Sequence, residues 1–77
     1  QNKIKIFPNP FSNFTTVLLN DEGENTIQLF DISGRLLRKF VVNENSFQLS
    51  KNNLKSGVYF LEIQNKKGVF RKKLVIQ

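Results

Sequence analysis

The residues able to perform chemistry in this sequence are few, and the missing types decide as much as those present. Histidine and cysteine are both absent. A Ser-His-Asp or Cys-His constellation is therefore impossible, imidazole and thiolate metal ligands are unavailable, and no side chain has an ordinary pKa near neutrality. Carboxylates remain, and Asp21, Glu22 and Glu24 gather around Gly23. Acids interrupted by glycine are what hard cations use. This spacing, however, lacks the alternating oxygen ligands and bidentate Glu of an EF-hand loop, so a solvated turn is expected, with no metal and no other cofactor. Glycoside hydrolysis needs two acids flanking a cleft, and a chain of this size has little surface from which to build one. No catalytic residue is assigned, and the chain reads as a non-enzyme.

Other constellations point to structure. In Asp31-Ile32-Ser33-Gly34-Arg35 an Asp precedes a glycine-containing turn, where its carboxylate can accept the turn's own backbone N–H groups. Arg35 is expected to pair with Asp31 or to lie in solvent, and an exposed pair of this kind contributes only about 0 to 1 kcal/mol. Gly34 belongs to no phosphate loop, because neither G-x-x-x-x-G-K nor G-x-G-x-x-G is present. Phe70-Arg71-Lys72-Lys73 has the composition of a single-strand nucleic-acid platform, but no RNP1-like run of aromatics accompanies it, so nucleic acid is not an expected partner. The single Tyr, Tyr59, is read as a buried ring whose hydroxyl finds a backbone carbonyl. Gly57 just before it permits a tight bend.

The elements that hold these residues follow from periodicity. At 77 residues the chain is one domain with a single modest core, whose stability should be about 4 to 11 kcal/mol. Eight Phe are expected to be its main filler. Short segments rich in Val, Ile, Leu, Phe and Thr are punctuated by Gly, Asn and Pro, which argues strands. The spacing predicts strands over residues 3–7, 13–19, 26–31, 36–42, 46–49, 58–64 and 69–76. The loop over residues 51–57 has room for one helical turn. Thr15, Val17 and Leu19 should share one face, Ile27 and Leu29 should point inward, and Tyr59, Leu61 and Ile63 should share a face opposite Val58 and Phe60, in a strand covered at least partly on both sides. The stretch from Val58 to Gln64 is the strongest strand signal and belongs between neighbours. No sustained 3.6-residue period occurs, so a two-sheet antiparallel β-sandwich is the expected fold. The longest apolar runs, such as Phe40 to Val42, fall far short of the ~20 residues of a membrane-spanning helix. Twelve basic against six acidic residues give a net charge of +6 that is scattered from Lys3 to Lys73, which favours solvated faces over a dedicated anion site.

Four motifs, in order, carry a family resemblance: Phe7-Pro8-Asn9-Pro10-Phe11, Asp31-Ile32-Ser33-Gly34-Arg35, Leu54-Lys55-Ser56-Gly57-Val58-Tyr59 and Lys73-Leu74-Val75-Ile76. Over essentially its whole length the sequence resembles the type A C-terminal sorting domain of the type IX secretion system of Bacteroidetes. The resemblance implies an immunoglobulin-like sandwich of about seven strands. It implies a cargo-borne address that folds in the periplasm, engages shuttle components and the outer-membrane translocon, and is removed by a sortase-like cell-surface cysteine protease. The upstream cargo is then attached at the cell surface or released. On this reading residues 1–77 are a piece of a longer secreted precursor. The family's cleavage site lies near or before the first motif, and only Gln1 to Phe7 stand ahead of its Pro8-Asn9-Pro10 core here. Lys72, Lys73, Leu74, Val75, Ile76 and Gln77 are the candidate recognition residues, because a terminal strand can be read through strand addition. Pro8, Asn9, Pro10, Asp31, Gly34, Arg35, Gly57 and Tyr59 match family motifs and are expected to shape the scaffold. A monomer is expected. The rival reading is a carbohydrate-binding or structural β-sandwich module of a secreted enzyme, against which stands the absence of Trp and the single Tyr.

Overall fold

The computed structural model describes residues 3–77. Gln1 and Asn2, the first residues of the segment in which cleavage is expected, lie outside the described residues. The strands are β1 (Lys5–Phe7), β2 (Phe14–Leu18), β3 (Asn25–Asp31), β4 (Leu36–Val42), β5 (Ser46–Ser50), β6 (Gly57–Asn65) and β7 (Gly68–Ile76). They form two antiparallel sheets, ordered β1-β2-β5 and β4-β3-β6-β7. The fold is thus the all-β sandwich expected, in the immunoglobulin-like arrangement whose fourth strand lies beside the third. β6 lies between β3 and β7, as its strong strand signal predicts, while its outer face stays partly open, with Phe60 half-buried and Val58 exposed.

The first strand is shorter than its alternation suggests. β2 ends at Leu18, opposite Lys5, so Lys3 and Ile4 have no strand across from them. Residues 51–54 close a turn through the Leu54 N–H on the Lys51 carbonyl at 2.9 Å, and no helix forms there.

Alternation places the core. Thr15, Val17, Ile27, Leu29, Leu61, Ile63 and Leu74 are sealed from solvent, with Leu49, Ile76 and Phe11 nearly so. The expectation that Phe fills this core is corrected: of the eight Phe, only Phe11 belongs to the buried set. Two sheets facing each other about 10 Å apart interdigitate best through compact Val, Ile and Leu at their inner positions. The aromatics stand at the margins instead. Phe40 and Phe47 meet across the sheets with ring centroids 4.8 Å apart, and Phe30 and Phe60 are half-buried on the outside of the larger sheet. A bulge between Leu29 and Phe30 sets Leu36 opposite Phe30 and leaves Leu37 free to pack on the core. Arg38 ties the sheets together, donating to the Ser50 carbonyl at 2.7 Å and the Lys51 carbonyl at 3.0 Å.

The acidic turn is also not uniformly solvated as expected. Glu22, Gly23 and Glu24 are exposed, but Asn20, Asp21 and Asn25 are buried. The Asn25 amide satisfies the turn's inward carbonyls, donating to Asp21 at 2.9 Å and Gly23 at 3.0 Å. Asn65 then donates to the side-chain oxygens of both Asn20 and Asn25, each at 2.8 Å, and Lys67 Nζ donates to the Asn20 carbonyl. Side chains that both donate and accept can be buried where composition alone suggests solvent.

Candidate functional site

Register gathers at one end of the sandwich the motifs that sequence scatters. Asp31 stands opposite Tyr59, Tyr59 opposite Leu74, and Gly57 opposite Ile76. The second, third and fourth motifs therefore share neighbouring rows of one sheet. The first motif joins them through the outer edge of β7. Asn9 Nδ2 donates to the Lys73 carbonyl at 3.0 Å, while the Val75 N–H donates to Asn9 Oδ1 at 2.9 Å. The Phe11 N–H donates to the Val75 carbonyl at 3.1 Å and the Gln77 N–H to the Phe11 carbonyl at 2.8 Å, which makes a parallel bridge between Phe11 and Ile76. Lys51 Nζ reaches the Gln77 carbonyl at 3.0 Å, and Ser12 Oγ donates to Gln77 Oε1 at 3.3 Å. The last five residues are thus clasped on both edges.

The Pro-Asn-Pro segment shapes this clasp. Its two prolines carry no N–H, so neither competes for the β7 edge, and both X-Pro bonds are cis. Thr15 Oγ1 donates to the Pro8 carbonyl at 2.6 Å and holds the segment over the small sheet. Asn9 is left with the one side chain there that matches a peptide group, donor to carbonyl and acceptor to N–H. Sequence reasoning assigned Asn9 to the scaffold without identifying this partner, since nothing local ties residue 9 to residues 73 and 75.

The second motif behaves as its residue types predict. Asp31 Oδ1 accepts from the Ser33 N–H at 3.0 Å, the Ser33 hydroxyl at 2.7 Å and the Arg35 N–H at 3.0 Å. Arg35 Nε lies 3.3 Å from Asp31 Oδ2, with the Arg side chain largely in solvent. The Ser33 hydroxyl, then the Arg35 amide, hold the Asp31 carboxyl below the usual carboxylate range. Gly34 takes a φ of 89°, where a Cβ would be strained even though nothing crowds it. In the third motif the buried Tyr59 donates its hydroxyl to the Lys55 carbonyl at 2.6 Å. Its ring is therefore inside, unavailable for stacking on a sugar. Gly57 starts β6 at a φ of 151°.

The six C-terminal candidates divide by face. Leu74 and Ile76 belong to the core, Val75 is half-buried on the outer face, and Lys72, Lys73 and Gln77 are exposed. Among the motif residues Pro8, Asn9, Pro10, Gly34 and Arg35 are exposed, Asp31 and Gly57 are half-buried and Tyr59 is buried. Among the described residues no three acidic side chains converge on a point where a metal ion would sit.

Residues 5–77 match the family described as the secretion system C-terminal sorting domain. The chain belongs to this family. The sorting domain is also 29% identical over 76 residues to an endo-acting ulvan lyase of Formosa agariphila, a match that takes in 96% of this chain and 15% of that protein. The domain thus spans a small part of the curated relative it matches. Among solved structures its fold superposes on PorZ of Porphyromonas gingivalis with a TM-score of 0.80 and 16% identity, over 96% of this chain and 11% of that one. PorZ is described as an essential bacterial surface component of the type-IX secretion system. The sorting domain is a secretion signal of the type IX class, typically non-catalytic, whose role is export across the outer membrane to the cell surface or beyond.

Proposed function

We propose that the sorting domain carries an upstream cargo from the periplasm through the type IX translocon as a folded address, without catalysis of its own. Shuttle components and the translocon recognise its surface. A sortase-like cysteine protease at the cell surface then removes it, leaving the cargo attached or released. The observation that carries this reading is the meeting of all four family motifs at the end of the sandwich where β7 finishes. A signal read as a flexible linear tail would have no use for a clasp assembled from residues more than sixty positions away. Two of the terminal residues, Leu74 and Ile76, face the core. The groups on offer are therefore Lys72, Lys73, Val75 and Gln77, presented by the fold. Strand addition along residues 73–77 would have to displace Asn9 and Phe11 from the edge they already occupy.

The test is a periplasmic reporter, with a linker long enough to supply a cleavage site, fused ahead of Gln1 to Gln77 in a type IX-competent bacterium and in the same strain lacking the translocon. Surface delivery only in the competent strain is expected. A reporter retained in the periplasm of the competent strain, while a matched sorting domain is exported in parallel, overturns the reading.

A further inference from the structure

The outer face of the larger sheet carries a patch that folding does not use. Phe30 and Phe60 are cross-strand neighbours, both half-buried, and the next row toward the motif end pairs Val58 with Val75. Val58 keeps 38% of its surface exposed. None of the four belongs to the buried core or to the apolar side chains packed against it.

Basic side chains border this patch. Lys73 stands opposite Phe60 and is exposed. The Arg71 guanidinium lies 5.6 Å from the Phe30 ring centroid and 5.8 Å from that of Phe60, and it is held at 3.9 Å from Glu62. Stacking on two rings and bracing by a carboxylate orient Arg71 in advance, which reduces the ordering cost of a new contact. An aromatic and aliphatic centre rimmed by oriented cations has the composition of a protein-binding surface. Charge complementarity specifies the occupant. The chain's net charge is +6, and the outward strand positions of this sheet carry Arg71, Lys73 and Lys39 against Glu62, with Glu24 beside Lys39 at the end away from the patch.

We infer that this face, centred on Phe60 and Val58 and rimmed by Arg71 and Lys73, is the docking surface for an acidic protein surface that inserts apolar side chains between the two basic residues. The inference rests on the sorting reading and deepens it: Lys73 and Val75 are the two terminal residues that the clasp presents on this face. A purely anionic surface such as a lipid headgroup would engage the cations and leave the rings and Val58 unused.

The test uses the reporter fusion with the full chain and three variants, each checked for folding by thermal denaturation. R71E/K73E reverses the rim, V58T/V75T makes the centre polar at constant charge and strand propensity, and K5E/Q48E changes charge on the smaller sheet. R71E/K73E and V58T/V75T are each expected to lower surface delivery by about tenfold or more while remaining folded, and K5E/Q48E to export as the parent does. Normal export of folded R71E/K73E overturns the surface, and the sorting reading stands because the parent is still exported. Loss in R71E/K73E with full export of V58T/V75T makes the occupant a purely anionic surface and overturns the acidic protein partner. Equal loss in K5E/Q48E reduces the effect to net charge and overturns the inference as well. Failure of the parent itself is instead a failure of the sorting reading.

Discussion

Asn9 joins the two ends of this chain with one side chain. It donates to the Lys73 carbonyl and accepts from the Val75 N–H, and each such bond contributes about 0.5 to 1.5 kcal/mol net. Asn9→Ala is therefore expected to lower stability by about 1 to 3 kcal/mol, read as a lower urea midpoint with an unchanged slope. An unchanged midpoint would mean that solvent replaces both bonds without loss. At Asp31 the prediction concerns pH. Its carboxyl is held low by the Ser33 hydroxyl and the Arg35 amide, so the folded state favours the charged form. The resulting stability is fully present above the unfolded value of about 3.9 and is lost as pH falls through the lower folded value. Below about pH 4, denaturation midpoints of Asp31→Asn should fall less steeply with acid than those of the parent. Parallel curves would show that this carboxylate makes no contribution to acid sensitivity.

At the scale of the element, β7 performs two tasks with alternate residues. Leu74 and Ile76 build the core while Lys73 and Val75 face outward. Leu74→Ala should cost about 2 to 5 kcal/mol, a large share of what a domain of this size has, and calorimetry should find it much less stable or unfolded. Deleting the last four residues thus removes core together with the proposed recognition residues, and lost export after such a truncation would report on both. The strands themselves were legible because alternation is local: Val17, Ile27, Leu29, Leu61 and Ile63 all face inward as their spacing requires. So were the Asp31 turn and the Tyr59 hydroxyl, whose partners lie within four residues. The clasp of Asn9 on β7 was not legible, because its bonds span more than sixty residues and depend on which sheet edge is left open. The network of buried Asn20 and Asn25 with half-buried Asn65 was not legible for a related reason, since its partners come from three different turns. Phe was misjudged as core filler because hydrophobicity does not say on which face of a sheet a ring will stand.

At the scale of the whole molecule the two ends of the sandwich differ in kind. One is closed by amide networks around Asn20, Asn25 and Asn65, and the other gathers the motifs that define the family around the end of β7. This polarity explains how a secretion signal can be spread over the whole length of a small domain. Its parts are contiguous only when folded, so on the proposed reading the last six residues belong to the address without being the whole of it. The most direct test is surface delivery of a reporter fused to the Asn9→Ala domain, in which Lys72 to Gln77 are unchanged in sequence but lose the two side-chain bonds from Asn9 to Lys73 and Val75, with the folded fraction measured on the purified fusion. Delivery is expected to fall well below that of the parent while the domain remains mostly folded. Export equal to the parent's would contradict this, and would mean that the Asn9 bonds to Lys73 and Val75 have no part in presenting the address.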